Sequence, residues 1–110
     1  MARNVTKLAT IANGQTASDA VNTDTQLLSG ILFPSAFTGS TVTFKFSTDG
    51  STWKDVKETD GSAVSYTVSA DDVIRIDPSG WAFASSGYIQ VVSGSSEGAE
   101  RKIILIFRAS

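Results

Sequence analysis

The sequence predicts an all-β protein: a two-sheet antiparallel sandwich, jelly-roll-like, with about eight strands. Apolar and polar residues alternate over several short stretches, of which Thr41–Ser47 is the clearest. Turn-forming pairs such as Asn13-Gly14, Asp49-Gly50 and Asp60-Gly61 separate these stretches. No stretch repeats its apolar residues with the period of a long helix, so an α/β design is not expected.

The first third of the chain predicts two strands joined by a polar loop. Val5–Ile11 is a first strand or an extended arm, in which Lys7 shares its parity with apolar neighbours. Residues 15–24 are small and polar and predict a surface loop. Gln26–Phe33 predicts a strand, and Ser29-Gly30 inside it predicts a bulge or a close backbone approach.

The middle of the chain predicts a hairpin. Apolar residues occupy alternate positions of Thr41–Ser47, so one face of this strand is expected in the core. Asp49-Gly50 then turns the chain into Thr52–Lys57. The segment Ser47–Trp53 resembles a shortened Asp-box, a turn held by its aspartate, and this implies that Trp53 packs beneath the turn.

The second half of the chain predicts further strands separated by turns. These strands are Val64–Val68, Val73–Asp77, Gly87–Ser93 and Arg101–Arg108. Asp77-Pro78 ends one of them, and Trp81–Phe83 after it predicts a short helical turn. A single helical turn is also expected at Ser35–Phe37, with Phe37 pointing into the core.

One domain is expected from a chain of 110 residues, of which 41% are hydrophobic and 18% are charged. Residues 1–24 are expected to form an N-terminal arm or a first strand plus loop, and residues 25–110 the sandwich. The apolar content is too high for a chain that is disordered throughout.

The residues that usually carry enzyme chemistry are missing from the sequence. It has no histidine and no cysteine, so it lacks the usual proton carrier near neutral pH and any thiolate nucleophile. We therefore expect no enzymatic activity, no metal site and no cofactor. The carboxylates Asp71, Asp72 and Asp77 match no calcium-loop spacing and are expected to be turn residues.

Nucleic acid and membranes are not expected as partners. The net charge is −2, the isoelectric point is about 4.8, and the lysines and arginines are scattered. The longest purely apolar run, Ile103–Phe107, is far too short to cross a bilayer. No apolar segment of signal-peptide length follows the N-terminus, so synthesis in the cytoplasm is expected.

The last strand carries apolar residues on both faces, because Ile103, Leu105 and Phe107 alternate with Ile104 and Ile106. A two-sheet sandwich covers only one face of each strand. The other face is expected to lie either under the N-terminal segment or against another subunit, since a large exposed apolar patch is unusual on a monomer. The predicted protein interface consists of Val5, Leu8, Ile11, Ile104 and Ile106.

The aromatic residues Trp53, Tyr66, Trp81 and Tyr88 permit two interpretations. Exposed aromatic rings stack on sugars, so these residues are candidates for a carbohydrate platform. Aromatic residues at alternate strand positions are more often part of the core, and this interpretation is favoured.

Several segments together resemble a group of small tailed-bacteriophage virion proteins. These segments are Gly30–Thr38, Val42–Val56, Ile76–Pro78, Trp81–Phe83 and Tyr88–Gly94, followed by a closing strand from Arg101. The resemblance covers roughly residues 25–107. Its motifs are mostly strands and turns, so they specify a fold better than a role.

The resemblance implies a capsid cement (decoration) protein with a structural role at the capsid surface of the virion, made in the host cytoplasm. The implied partner is the major capsid protein, and self-association is expected, with a homotrimer favoured. Two alternatives stay open: a carbohydrate-binding module of a head or tail fibre, and a head–tail or tail structural component.

Overall fold

The computed structural model describes residues 4–109, which form nine strands and one 3₁₀ helix. The strands are β1 (Asn4–Ile11), β2 (Val21–Asn22), β3 (Gln26–Leu32), β4 (Thr41–Ser47), β5 (Lys54–Asp55), β6 (Tyr66–Thr67), β7 (Val73–Arg75), β8 (Tyr88–Ser93) and β9 (Arg101–Ala109). The 3₁₀ helix spans Pro78–Ala84. Residues 1–3 and 110, at the ends of the predicted arm and sandwich ranges, lie outside the described residues.

The strands form two antiparallel sheets that enclose one core. The first sheet has the order β1-β9-β3-β7; the second has the order β2-β8-β4-β5, with β6 also paired to β4. The chain passes repeatedly from one sheet to the other, and the late strands β8 and β9 are inserted between early ones. This is the connectivity of a jelly roll, so the predicted all-β sandwich is confirmed.

The core is built from alternate residues of the central strands. On β4 the inward residues Val42 and Phe44, and on β9 the inward residues Ile103, Leu105 and Phe107, are each at most 1% exposed. Removing side chains of this size from water contributes about 2 kcal/mol each. The alternation that predicted the strands is therefore also the pattern that stabilises the sandwich.

Some elements match the predicted bounds and others do not. The strand β4 spans the predicted Thr41–Ser47, whereas β2 lies inside residues 15–24, which were predicted as a loop. A strand of two residues is too short to show alternation, although its Val21 is buried. At Ser35–Phe37 the chain makes a single hydrogen-bonded turn, and Phe37 is buried as predicted.

The predicted irregularity in β3 is a β-bulge at Ser29. Leu28 is opposite Phe107 and Gly30 is opposite Ile106, so Ser29 has no partner of its own on β9. The Ser29 hydroxyl donates to the Ile106 carbonyl at 3.1 Å, and the Ser29 carbonyl accepts from the Ile76 N–H at 3.0 Å. These bonds hold the extra residue in place where the strand bends.

Candidate protein interface

Four aliphatic side chains form a continuous row across the outer face of the first sheet. Leu8 pairs with Ile104, Ile104 with Leu32, and Leu32 with Val73. Paired residues of antiparallel strands point to the same face, with Cβ atoms about 5 Å apart. Leu8, Leu32 and Val73 are 53%, 39% and 63% exposed, and Ile104 is half-buried. These four residues, here named the apolar row, face solvent together.

A second line of paired residues widens this apolar surface. Thr6, Ile106, Gly30 and Arg75 are neighbours across the same strands. A Cβ atom added to Gly30 would lie 3.4 Å from Ile106 Cδ1, so the Ile106 side chain extends over the glycine. The half-buried Ile106 thereby continues the apolar surface toward Arg75.

The charged residues on this face are basic. Lys102 and Arg108 have the same parity as Ile104 on β9, and Arg75 has the same parity as Val73 on β7, so all three point outward. Within residues 4–109 the strands of the first sheet contain no Asp or Glu. The face therefore combines an apolar centre with positive charge.

The outer face of the second sheet has a different composition. The Lys45 ammonium forms an ion pair with the Asp55 carboxylate at 2.8 Å, which balances the charge there. The outward residues of this face are mostly polar: Thr41, Thr43, Lys45, Asp55, Thr67, Gln90 and Val92. Threonine and glutamine side chains remain hydrated at little cost, so this face needs no cover. The first sheet is thus the better candidate for an interface.

The predicted interface residues divide between the two faces of the first sheet. Leu8, Ile104 and Ile106 point outward with the apolar row or beside it. Val5 and Ile11 have the opposite parity and point inward, and Ile11 is a core residue with 0% exposure. This corrects the predicted grouping of Val5, Ile11 and Leu8, because successive residues of a strand alternate between faces.

The sequence interpretation missed Leu32 and Val73, which complete the apolar row. The sequence does contain a signal for both residues, because each stands next to an inward-pointing isoleucine, Ile31 or Ile74. With the inward residue identified, the neighbouring aliphatic residue must point outward. What the sequence does not contain is the pairing of β3 with β7, which places Leu32 and Val73 next to each other.

Trp81 lies in the core and Tyr66 packs against it, as the favoured interpretation of these aromatic residues predicts. Trp81 is 3% exposed, and its indole N–H donates to the Tyr66 hydroxyl at 3.3 Å. The side chains of Trp53 and Tyr88 are half-buried. Trp81 is therefore a core residue that is not accessible for stacking on a sugar ring.

One exposed aromatic residue lies outside the predicted set. Phe83 is 54% exposed, and its ring centroid lies 5.4 Å from that of Phe46 in an edge-on arrangement. The two rings line an open groove of about 310 Å³, which Lys54 and Glu58 also line. This groove is built on the edge of the second sheet and the 3₁₀ helix, away from the apolar row.

Asp71, Asp72 and Asp77 lie in turns. Asp71 has φ 65° and is exposed, and Asp77 accepts hydrogen bonds from the Ser79 N–H and hydroxyl. Within residues 4–109 no three His, Cys, Asp or Glu side chains are grouped closely enough to hold a metal ion. The same residues include no helix with the length and hydropathy needed to span a bilayer.

Comparison with known proteins assigns no family to the chain. No family model matches it, and no curated protein matches it. A solved structure of Bacillus endospore appendages, described as disulfide-linked pili, is similar with 12% identity and a TM-score of 0.45, covering 100% of this chain and 87% of that chain. The Yersinia pseudotuberculosis-derived mitogen is similar with 11% identity and a TM-score of 0.45, covering 100% and 88% of the respective chains.

Proposed function

We propose that this chain is a non-enzymatic structural protein of a bacteriophage particle, which binds the outer capsid lattice and stabilises the head. The observation that carries the proposal is the apolar row on the outer face of the first sheet. The sequence resemblance to small virion proteins supplies the kind of partner, the major capsid protein. The protein would act at the capsid surface of the virion.

The physical basis of this function is the burial of the apolar row against a partner. Each square ångström of apolar surface removed from water contributes about 25 cal/mol, before the cost of association is subtracted. One such face gives modest affinity. Copies that are linked to one another, as in the proposed homotrimer, bind a repeating lattice with much higher avidity.

The test is cosedimentation of the purified protein with phage heads that were prepared without it. Replacing Val73 and Leu8 by Glu puts charge on the apolar row at exposed positions, so folding is expected to persist while head binding falls at least about tenfold. The matched control replaces Thr43 and Thr67 by Glu on the outer face of the second sheet. Equal loss in both variants, or no loss in either, contradicts the proposed face.

Two further measurements test the proposal and separate it from the head–tail or tail alternative. Sedimentation velocity of the purified protein is expected to show a trimer. Quantified gel bands from purified virions are expected to show hundreds of copies per particle, because a cement protein follows the lattice. A few copies would instead indicate a head–tail or tail component, and absence from virions would contradict every virion role.

A further inference from the structure

A cleft of about 750 Å³ lies beside the apolar row on the same face of the molecule. Asn4 of β1, Ser29 of the bulge in β3, and Arg108 of β9 line it, together with Arg75 at the end of β7. Ile76 and the start of the 3₁₀ helix form the remaining wall. The cleft is therefore built by all four strands that carry the apolar row.

The bulge and the end of β7 explain why a cleft forms at this place. Ser29 is the extra residue of the bulge and hydrogen-bonds to backbone groups of Ile106 and Ile76, so the sheet is irregular beside the cleft. β7 ends at Arg75, and the chain turns through Asp77 into the 3₁₀ helix. The edge strand β7 thus ends where Arg75 and Arg108 line the cleft.

Arg75 and Arg108 have no carboxylate partner within residues 4–109. Other cations of the chain do: Arg101 pairs with Glu97 at 2.9 Å, and Lys7 pairs with Asp24. Asp77 also lines the cleft, but neither arginine forms an ion pair with it, and its Oδ1 accepts two hydrogen bonds from Ser79. The cleft therefore presents two guanidinium groups whose donors are free to receive an anion.

We infer that the Arg75–Arg108 cleft binds carboxylate side chains of an acidic, partly apolar protein surface. The inference rests on the proposed function and specifies the partner's chemistry. The guanidinium groups donate to Asp or Glu side chains of the partner, while the apolar row packs against its aliphatic side chains. The fork of donors on each arginine matches the two oxygens of a carboxylate, so the cleft fixes the orientation of the docked surface.

The charge of the face argues against a two-fold dimer of this chain formed through this face. In a two-fold interface the same patch occurs on both sides. Lys102, Arg75 and Arg108 would then meet the same cations of the other copy. The strands of this sheet supply no carboxylate, and Asp77 in the cleft lining is one carboxylate against three cations. A partner of opposite charge avoids this repulsion.

Nucleic acid is the less suitable anion. A phosphate backbone is bound by many cations along a track, whereas this face has three outward cations around an aliphatic centre. Carboxylates spaced among apolar residues match both parts of the face.

The first test uses the full-length ¹⁵N-labelled protein and two short synthetic peptides. One peptide alternates Leu with Glu, and the other has Gln in place of each Glu. The Nε–Hε signals of Arg75 and Arg108 are expected to shift with the Glu peptide and to remain unchanged with the Gln peptide. Replacing both arginines by Gln is expected to weaken binding of the Glu peptide by about tenfold for each arginine.

Matched variants make this test specific. Lys57→Gln removes an exposed cation that lies outside the face, so peptide affinity is expected to persist. The variant with Arg75→Lys and Arg108→Lys keeps both charges but lacks the guanidinium fork, so its affinity is expected to lie between those of the wild type and the double Gln variant. Undiminished binding by the double Gln variant overturns the inference, as does tighter binding of a single-stranded DNA oligonucleotide than of the Glu peptide.

Binding to phage heads separates this inference from the proposed function. If the double Gln variant binds heads as the wild type does, while the Val73 and Leu8 variant does not, the capsid role stands and the carboxylate inference fails. If the protein does not bind heads but the Glu peptide binds through Arg75 and Arg108, the carboxylate site stands and the capsid role fails. Self-association that disappears in the double Gln variant assigns the face to another copy and overturns the inference.

Discussion

The carboxylate of Glu97 is buried, with the residue 1% exposed, and it accepts a hydrogen bond from the Arg101 guanidinium at 2.9 Å. The same carboxylate accepts from the backbone N–H groups of Thr38 and Gly39 at 3.0 and 3.1 Å, and from the Ser93 hydroxyl at 2.9 Å. One side chain therefore connects the loop before β4 with the end of β8 and the start of β9.

The backbone of Glu97 also binds the loop that follows β1. Its carbonyl accepts from the Gly14 N–H at 2.7 Å, and its N–H donates to the Gln15 carbonyl at 3.1 Å. The polar loop after β1 is thereby held against the same end of the sandwich. A buried charge costs several kcal/mol unless its partners are in place, so these loops are coupled through Glu97.

Replacing Glu97 by Ala is expected to lower the free energy of unfolding by about 3 kcal/mol, because Arg101 and two backbone N–H groups lose their acceptor. Urea unfolding followed by circular dichroism measures this loss. Glu100→Ala is the matched control, since Glu100 is exposed in the same loop, and its expected effect is within about 0.5 kcal/mol. Equal effects of the two substitutions would contradict the structural role of Glu97.

The stability of the protein is expected to fall on acidification, in part through Glu97. Burial acts to raise the pKa of Glu97, but the hydrogen bonds from Arg101, Thr38 and Ser93 together hold the pKa below its ordinary value. A carboxyl group with a lowered pKa in the folded state contributes stability above its unfolded pKa, about 4.3. That contribution is lost as the pH falls through the folded-state pKa.

Urea unfolding of the wild type and of Glu97→Gln between neutral and acidic pH tests this dependence. The variant is expected to be less stable at neutral pH and to lose less stability on acidification, because glutamine does not titrate. Some pH dependence will remain, since the pKa values of Asp49, Asp55 and Asp60 are also lowered, mainly by hydrogen bonds. Parallel stability curves for the two proteins would show that Glu97 does not contribute.

Replacing Gly87 by Ala is expected to destabilise the fold by about 2 kcal/mol through overpacking. The added Cβ atom would lie 2.7 Å from the Ser47 carbonyl oxygen and 2.8 Å from the Phe46 ring. Gly98→Ala is the matched control, because its added Cβ atom has no neighbour within 4 Å. Thermal unfolding of both variants checks the prediction, and a Gly87 variant as stable as the control would contradict the close packing.

Local patterns in the sequence predicted most of the strands but not what depends on distant contacts. The alternation of apolar and polar residues predicted both ends of β4 correctly, and the small residues Ser29 and Gly30 predicted the bulge in β3. Glu97 lies between two predicted strands, and nothing in the sequence indicates its role, because its partners Thr38 and Gly39 are 59 and 58 residues away. Such contacts leave no periodic signal in the chain.

The candidate interface was predictable only where it depends on local patterns within one strand. The all-apolar run of β9 indicated that the outward residues Ile104 and Ile106 pack against another surface, and parity within β1 would have placed Ile11 and Leu8 on opposite faces. The order of strands in the first sheet, which places Leu32 and Val73 beside Ile104, follows from the whole topology. The Arg75–Arg108 cleft depends on that order as well.

Replacing Trp81 by Phe is expected to cost about 2 kcal/mol, because the smaller ring leaves a cavity and the Tyr66 hydroxyl loses the indole N–H. The indole also packs edge-on against Phe44, with ring centroids 4.8 Å apart. Trp53 is half-buried outside the core cluster, so Trp53→Phe is the matched control, with an expected cost of about 0.5 kcal/mol or less. Urea unfolding measures both costs.

The same pair of variants decides whether Trp81 is accessible to a ligand. In the Trp53→Phe variant Trp81 is the remaining indole, and its fluorescence is expected at short wavelength and resistant to quenching by acrylamide, because the side chain is buried. Long-wavelength, quenchable emission from that variant, together with equal unfolding costs, would contradict the core position. Such emission would instead support the carbohydrate-platform interpretation, since an exposed Trp81 ring could stack on a sugar.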